Sequence, residues 1–151
     1  MLLVLAAPLA AKDSLGVFGE WGAFRDPQTP RCYAIAAPDS EVRSQAFASV
    51  GTWPKRGVRG QVHIRLSRTP ARASNISLAI GGERFQLTGG GGDAWAQDRR
   101  MDAAIIAAMR SADSMSVRAI DRSGRRFTDR YSLEGAATAM DAATVGCARI
   151  R

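Results

Sequence analysis

A chain of 151 residues with 46% apolar and 23% charged side chains is long enough for one domain with its own core. None of its apolar runs reaches the roughly 18–20 residues that a membrane-spanning helix needs, and one histidine with two cysteines is too small a donor set for a usual zinc site. The net charge of +7 rests almost wholly on arginine spread along the chain; that balance suits phosphate or carboxylate partners and equally follows from codon bias in a GC-rich genome.

Met1 to Ala11, MLLVLAAPLAA, is apolar, uncharged and small at its end, and polar sequence begins at Lys12. The segment reads as the hydrophobic and cleavage regions of a secretory signal peptide, with cleavage before Lys12 and residues 12–151 forming one domain. The alternative is a buried N-terminal strand or helix, and Pro8 argues against the helix. Cys32 and Cys147, an even and low count, then read as one disulfide formed in an oxidising compartment.

Residues 17–25 read as a strand or an extended segment, and Asp26-Pro27-Gln28-Thr29-Pro30 as a turn. Strands are expected at Arg31–Ala36 and Phe47–Trp53, with a polar loop over 38–45 between them. Lys55-Arg56-Gly57-Val58-Arg59-Gly60 is a basic turn. Gln61–Ser67 alternates, placing Val62, Ile64 and Leu66 on a buried face and Gln61, His63 and Arg65 on a wet one. Residues 75–80 and 83–88 flank Gly81-Gly82, a two-residue hairpin loop that sets Ile80 opposite Glu83, Leu78 opposite Phe85 and Ile76 opposite Leu87.

Gly89–Gly92 reads as a flexible tether, and Asp93–Gln97 as the lead into a helix at about 99–112 capped by Asp98. Met101, Ala104, Ile105, Ala108, Met109 and Ala112 make its apolar stripe; Arg99, Arg100, Asp102 and Arg110 its solvated side. A second hairpin, 115–120 with 125–131, pairs Ala119 with Phe127 and Met115 with Tyr131, and turns Asp129 inward opposite Val117. Ser132 is placed to cap a short C-terminal helix ending near Gly146, after which Cys147 reaches back to the strand holding Cys32.

His63 reads as a surface residue, and no G-x-S-x-G elbow accompanies it. Four glycines without a following G-K-[ST] are not a phosphate loop, and Asp93 with Asp98 lacks the spacing of a calcium loop. No cofactor or metal is expected. Trp21, Phe24, Tyr33, Phe47 and Trp53 alternate with Arg25, Arg31, Lys55, Arg56 and Arg59. Core with a basic rim is the expected arrangement of these aromatics; a nucleic-acid or glycan platform is the alternative.

The hydrophobic leader, FGEWGAF (Phe18 to Phe24), CYAIAAP (Cys32 to Pro38), the helix at 99–112 and YSLEGAATAM (Tyr131 to Met140) together resemble the invasion-associated locus B family of alphaproteobacterial exported proteins. Ala23, Phe24 and Arg25 stand where that family often carries a further cysteine. The resemblance implies a mainly β fold, an immunoglobulin-like β-sandwich with the one amphipathic helix and the short C-terminal one. It also implies a periplasmic or secreted location and a non-catalytic role in host-cell entry or envelope upkeep, with an envelope or host protein as partner. Two other readings stay open. One is an anion-binding module using Lys55, Arg56 and Arg59 on lipopolysaccharide or nucleic acid. The other is a small hydrolase around Asp129, Glu134 or His63.

Overall fold

The computed structural model describes residues 12–40 and 44–148, so the leader read in residues 1–11 lies outside the described residues. The first five strands form a meander: β1 (Asp13–Phe18), β2 (Trp21–Asp26), β3 (Arg31–Ala36), β4 (Phe47–Trp53) and β5 (Val58–Arg65). There follow β6 (Ile76–Ile80), β7 (Glu83–Gly90), β8 (Asp93–Trp95), helix α1 (Arg99–Ser111), β9 (Ser114–Ile120), β10 (Arg126–Ser132) and helix α2 (Ala136–Ala148). Hydrogen bonds join these strands, all antiparallel, into one sheet of order β1-β2-β3-β4-β5-β8-β7-β6-β9-β10. β7 is the hinge of that order: Glu83–Leu87 pairs with β6 and Thr88–Gly90 with β8.

The sheet curls until its far strands meet. Trp21 Nε1 donates to the Ser132 carbonyl at 2.8 Å, the Glu20 amide to Glu134 O at 3.1 Å, and the Asp39 amide to Arg130 O at 2.7 Å. Gly19 and Gly135 make this approach feasible. A Cβ on Gly135 would stand 1.8 Å from the Phe18 carbonyl oxygen, and both glycines have positive φ. The segments FGEWG and YSLEG, far apart in sequence, therefore pack on each other, and their glycines are required by backbone-to-backbone contact.

Period-two burial explains the core. Trp21, Cys32, Ala34, Val50 and Ile64 point inward from the first strands; Leu78, Ile80, Val117 and Tyr131 point inward from the later ones, and all belong to one connected cluster. Both hairpin registers expected from sequence occur, including Leu78 opposite Phe85 and Asp129 opposite Val117. Asp98 caps α1 by accepting the Met101 amide at 2.8 Å. α2 lies on β1, β2 and β3 and buries Ala136, Ala139, Met140, Ala143 and Cys147, mostly small residues that let the helix sit close to the sheet.

Several expectations are corrected. Residues 17–25 are not one extended segment: the turn at Gly19-Glu20 divides them between β1 and β2. The glycines at 89–92 are not a tether: Gly89 and Gly90 end β7, Gly91-Gly92 makes the turn, and Asp93–Trp95 is a strand instead of a helix lead-in. Short side chains suit that position, because a Cβ on Gly89 would meet the Ile76 side chain at 2.4 Å. Ser132 ends β10 and its hydroxyl accepts the Glu134 amide; it does not cap α2. Cys147 lies inside α2, not after it. Asp102 is on the sheet-facing side of α1, not the solvated one. It accepts the Val62 amide at 2.9 Å, since β8 is three residues long and its pairing with β5 stops at His63. Burial, chiefly, raises the Asp102 carboxyl above its ordinary value; the Val62 amide opposes this and Asp98 adds to it.

Candidate interaction surfaces

The two cysteines meet. Cys32 on β3 and Cys147 on α2 form a disulfide with Cα atoms 5.8 Å apart, closing a sequence separation of 115 residues. Both are inward positions, so the bond joins the last helix to the middle of the first meander, inside the core. Beside it opens a cleft of about 580 Å³ between the basic turn and the two helices. Val50, Ile106, Met140 and Ala143 give it an apolar wall, and Arg59 and Arg110 supply charge. Arg110 is engaged, donating to Asp141 at 2.8 Å and holding that carboxyl below its usual range.

The basic turn is partly turn and partly strand. Pro54–Arg56 is a single 3₁₀ turn stopped by Gly57 in the left-handed region, and β5 starts directly at Val58. Lys55, Arg56 and Arg59 are exposed, and among the described residues none has an ion-pair partner.

The residues considered for hydrolysis are scattered. His63 is on the outward face of β5, with its side chain 28% exposed. Its ring stacks on Trp95 at 5.3 Å and meets Phe47 edge-on at 5.2 Å. Its Nε2 lies 2.9 Å from Asp93 Oδ1, while Asp93 Oδ2 accepts from Arg65 at 2.9 Å. His63 is thus a half-buried member of an aromatic and ionic group, more enclosed than a plain surface residue. Asp129 points the other way, into the core, and its partners are the backbone amide and hydroxyl of Ser67. That answers the need of an inward carboxylate for a donor. The cleft of about 440 Å³ beside Asp129 includes neither His63 nor Glu134. Next to it the Tyr131 hydroxyl is buried with no hydrogen-bond partner among the described residues. Its acidity is suppressed first by burial and then by the Asp129 charge.

The aromatic residues divide. Trp21 is fully buried, as a core residue should be. Phe24, Tyr33, Phe47 and Trp53 are half-buried on the opposite, outward face of β2, β3 and β4, so the core expectation holds for Trp21 alone. Two of these rings cover glycines, Trp53 over Gly51 and Phe24 over Gly22. Phe24 stacks on Tyr33 at 5.7 Å, and the Arg31 guanidinium stands 4.6 Å from the Tyr33 centroid. Trp95 belongs to the same face and was missed in the sequence because Asp93–Trp95 read as a helix lead-in. Carrying the alternation of Gln61–Ser67 on to the next short strand would have found it.

No protein-family model, curated protein or solved structure matches this chain.

Proposed function

We propose that this chain is a non-catalytic exported protein of the invasion-associated locus B type, working in the periplasm or outside the cell through contacts with an envelope or host protein. The single observation that carries the reading is the Cys32–Cys147 disulfide, a bond that persists where the surroundings are oxidising and is rare in the cytosol. Its family component draws support from FGEWG and YSLEG, the segments on which the resemblance rests, which pack together through Gly19 and Gly135. The immunoglobulin-like sandwich outline belongs to the same proposal. In it, the strands before and after the hinge in β7 act as two layers around the shared core.

Fractionation of the source cells with thiol labelling tests the reading. The expected result is an oxidised chain in the periplasmic or secreted fraction. A cytosolic chain with two free thiols overturns it.

A second reading is anion binding at the basic turn, favoured by the exposure of Lys55, Arg56 and Arg59 without carboxylate partners among the described residues. Binding of lipopolysaccharide or an oligonucleotide there should weaken steeply as salt rises. Binding that is absent or insensitive to salt removes this reading.

A further inference from the structure

The later half of the sheet has an outward face whose composition follows from strand register. Ile76, Leu78 and Ile80 point into the core, so Ser77 and Ala79 between them point out. Register then assigns their neighbours to the same face. Arg118 pairs with Ser77 and with Thr128; Arg84 pairs with Ala79; Arg130 pairs with Ser116, which also pairs with Ala79; Arg126 pairs with Ile120. No register shift interrupts β6, β7, β9 or β10. Arg84, Arg118, Arg126 and Arg130 are all exposed. The residues paired with them are serine, threonine, alanine or isoleucine, and no carboxylate stands in that register.

Among the described residues these four arginines are in no ion pair. The arginines in ion pairs among the described residues are Arg25, Arg65, Arg68 and Arg110, each on an aspartate elsewhere. Four arginines on one regular face, with no carboxylate in their register and Asp39 at its edge beside Arg126 and Arg130 outside any ion pair among the described residues, make a surface complementary to a layer of phosphates. A guanidinium binds a phosphate through two parallel hydrogen bonds. From sheet geometry, the Cα of Arg118 lies about 7–8 Å diagonally from those of both Arg126 and Arg130, so the three can hold separate phosphates at once.

We propose that this face, on β7, β6, β9 and β10, docks on the phosphate layer of an anionic membrane through Arg84, Arg118, Arg126 and Arg130. A membrane fits it better than a nucleic acid does. Single strands are held by aromatic rings on which bases stack, and no ring belongs to this register: Phe85 has the opposite parity and pairs with inward Leu78. Duplex readers insert a helix or a two-stranded ribbon into a groove, whereas this face is four strands wide. A membrane surface needs several cations in one plane, and Ile120, 41% exposed beside Arg126, adds an apolar contact. The inference deepens the exported reading by naming a partner, and it rests on that reading for its biological setting. Vesicle binding reports on the surface and fractionation on the location, so either can fail alone.

The test is co-sedimentation of the oxidised full chain with mixed phosphatidylcholine–phosphatidylglycerol vesicles at low salt, beside pure phosphatidylcholine vesicles. Each arginine at an anionic surface accounts for about fivefold in binding. R118Q/R130Q should therefore bind roughly 25-fold more weakly, and R84Q/R118Q/R126Q/R130Q several hundred-fold more weakly. R99Q/R100Q, which makes the same charge change at the start of α1, should bind as the parent does. Single R118Q, expected to lose about fivefold, serves if the fourfold variant fails to fold. Any of four outcomes overturns the proposal. These are equal binding to neutral vesicles, parent-like binding by R118Q/R130Q, loss confined to K55Q/R56Q/R59Q, and displacement by an oligonucleotide at equal phosphate concentration.

Discussion

The two halves of the sheet are alike inside and opposite outside. β2, β3, β4, β5 and β8 turn Phe24, Tyr33, Phe47, Trp53, His63 and Trp95 outward, lying against glycines and against each other. β6, β7, β9 and β10 turn out arginine among small polar residues. On the aromatic side Asp93 accepts from Arg65 and lies 2.9 Å from the His63 ring, Asp13 holds Arg25, and Arg31 stands over the Tyr33 ring. On the arginine side, among the described residues, none of the four arginines is in an ion pair. The lesson is that burial constrains the inward positions of both halves to the same apolar set, while the outward positions are free to differ, and it is there that partner choice is expressed.

The largest expected effect comes from cutting the tie between α2 and the aromatic half. C32S/C147S should lose about 4–5 kcal/mol, the chain-entropy value for a loop of this length, read as a fall in the urea midpoint. A loss under about 1 kcal/mol would mean that α2 docks on β1–β3 without help from the bond. Next is the tie between the two halves. W21F removes the indole N–H that reaches Ser132 and leaves that carbonyl without its donor, so a loss of about 1–3 kcal/mol is expected. A neutral W21F would show that the Glu20 and Asp39 amide bonds and the close approach at Gly19 and Gly135 hold the halves together without the indole.

The outer faces themselves should differ in their contribution to stability. W95A removes the stack on His63 and should cost about 1 kcal/mol. R118Q, on the arginine side, should stay within about 0.5 kcal/mol of the parent. If R118Q proves the costlier of the two, the arginine face is part of the fold and not a free surface. A last effect is set by pH and disappears in acid. Asp121 accepts from the Ser123 hydroxyl, the Ser123 and Arg125 amides and Arg68. These bonds, the Ser123 hydroxyl foremost, hold its carboxyl well below the usual range. The stability this lends is fully present above about pH 4 and is lost as pH falls through the depressed folded value. D121N lacks that loss, so urea midpoints of parent and variant should converge as pH drops from 5 towards 2. A gap that stays constant with pH would show that Asp121 contributes by shape alone.

Wherever local chemistry decides, the residues could be read in advance. Gly81-Gly82 forces a two-residue loop, and the loop sets the register of its whole hairpin. Asp98 caps α1 because its carboxylate is the right length to reach the third amide of the helix. The Asp129 position was legible from the same kind of argument, yet its donor, Ser67, was not, since 62 residues separate them. The aromatic residues were misjudged for a related reason. Composition shows that Phe24, Tyr33, Phe47 and Trp53 are apolar, but only strand parity shows that they point away from the core.

The sequence by itself determined the strands with clean alternation, the two hairpin registers, the first helix with its cap, and the pair of cysteines available for bonding. Each of these depends on neighbours within a few residues or on a simple count. Only the tertiary structure decided that the sheet is continuous through a hinge in β7, that FGEWG meets YSLEG, that Asp102 serves a strand end, and that four scattered arginines share one face. Those facts are settled by which strands lie side by side, and contacts between distant segments are the part of folding that local preference leaves open.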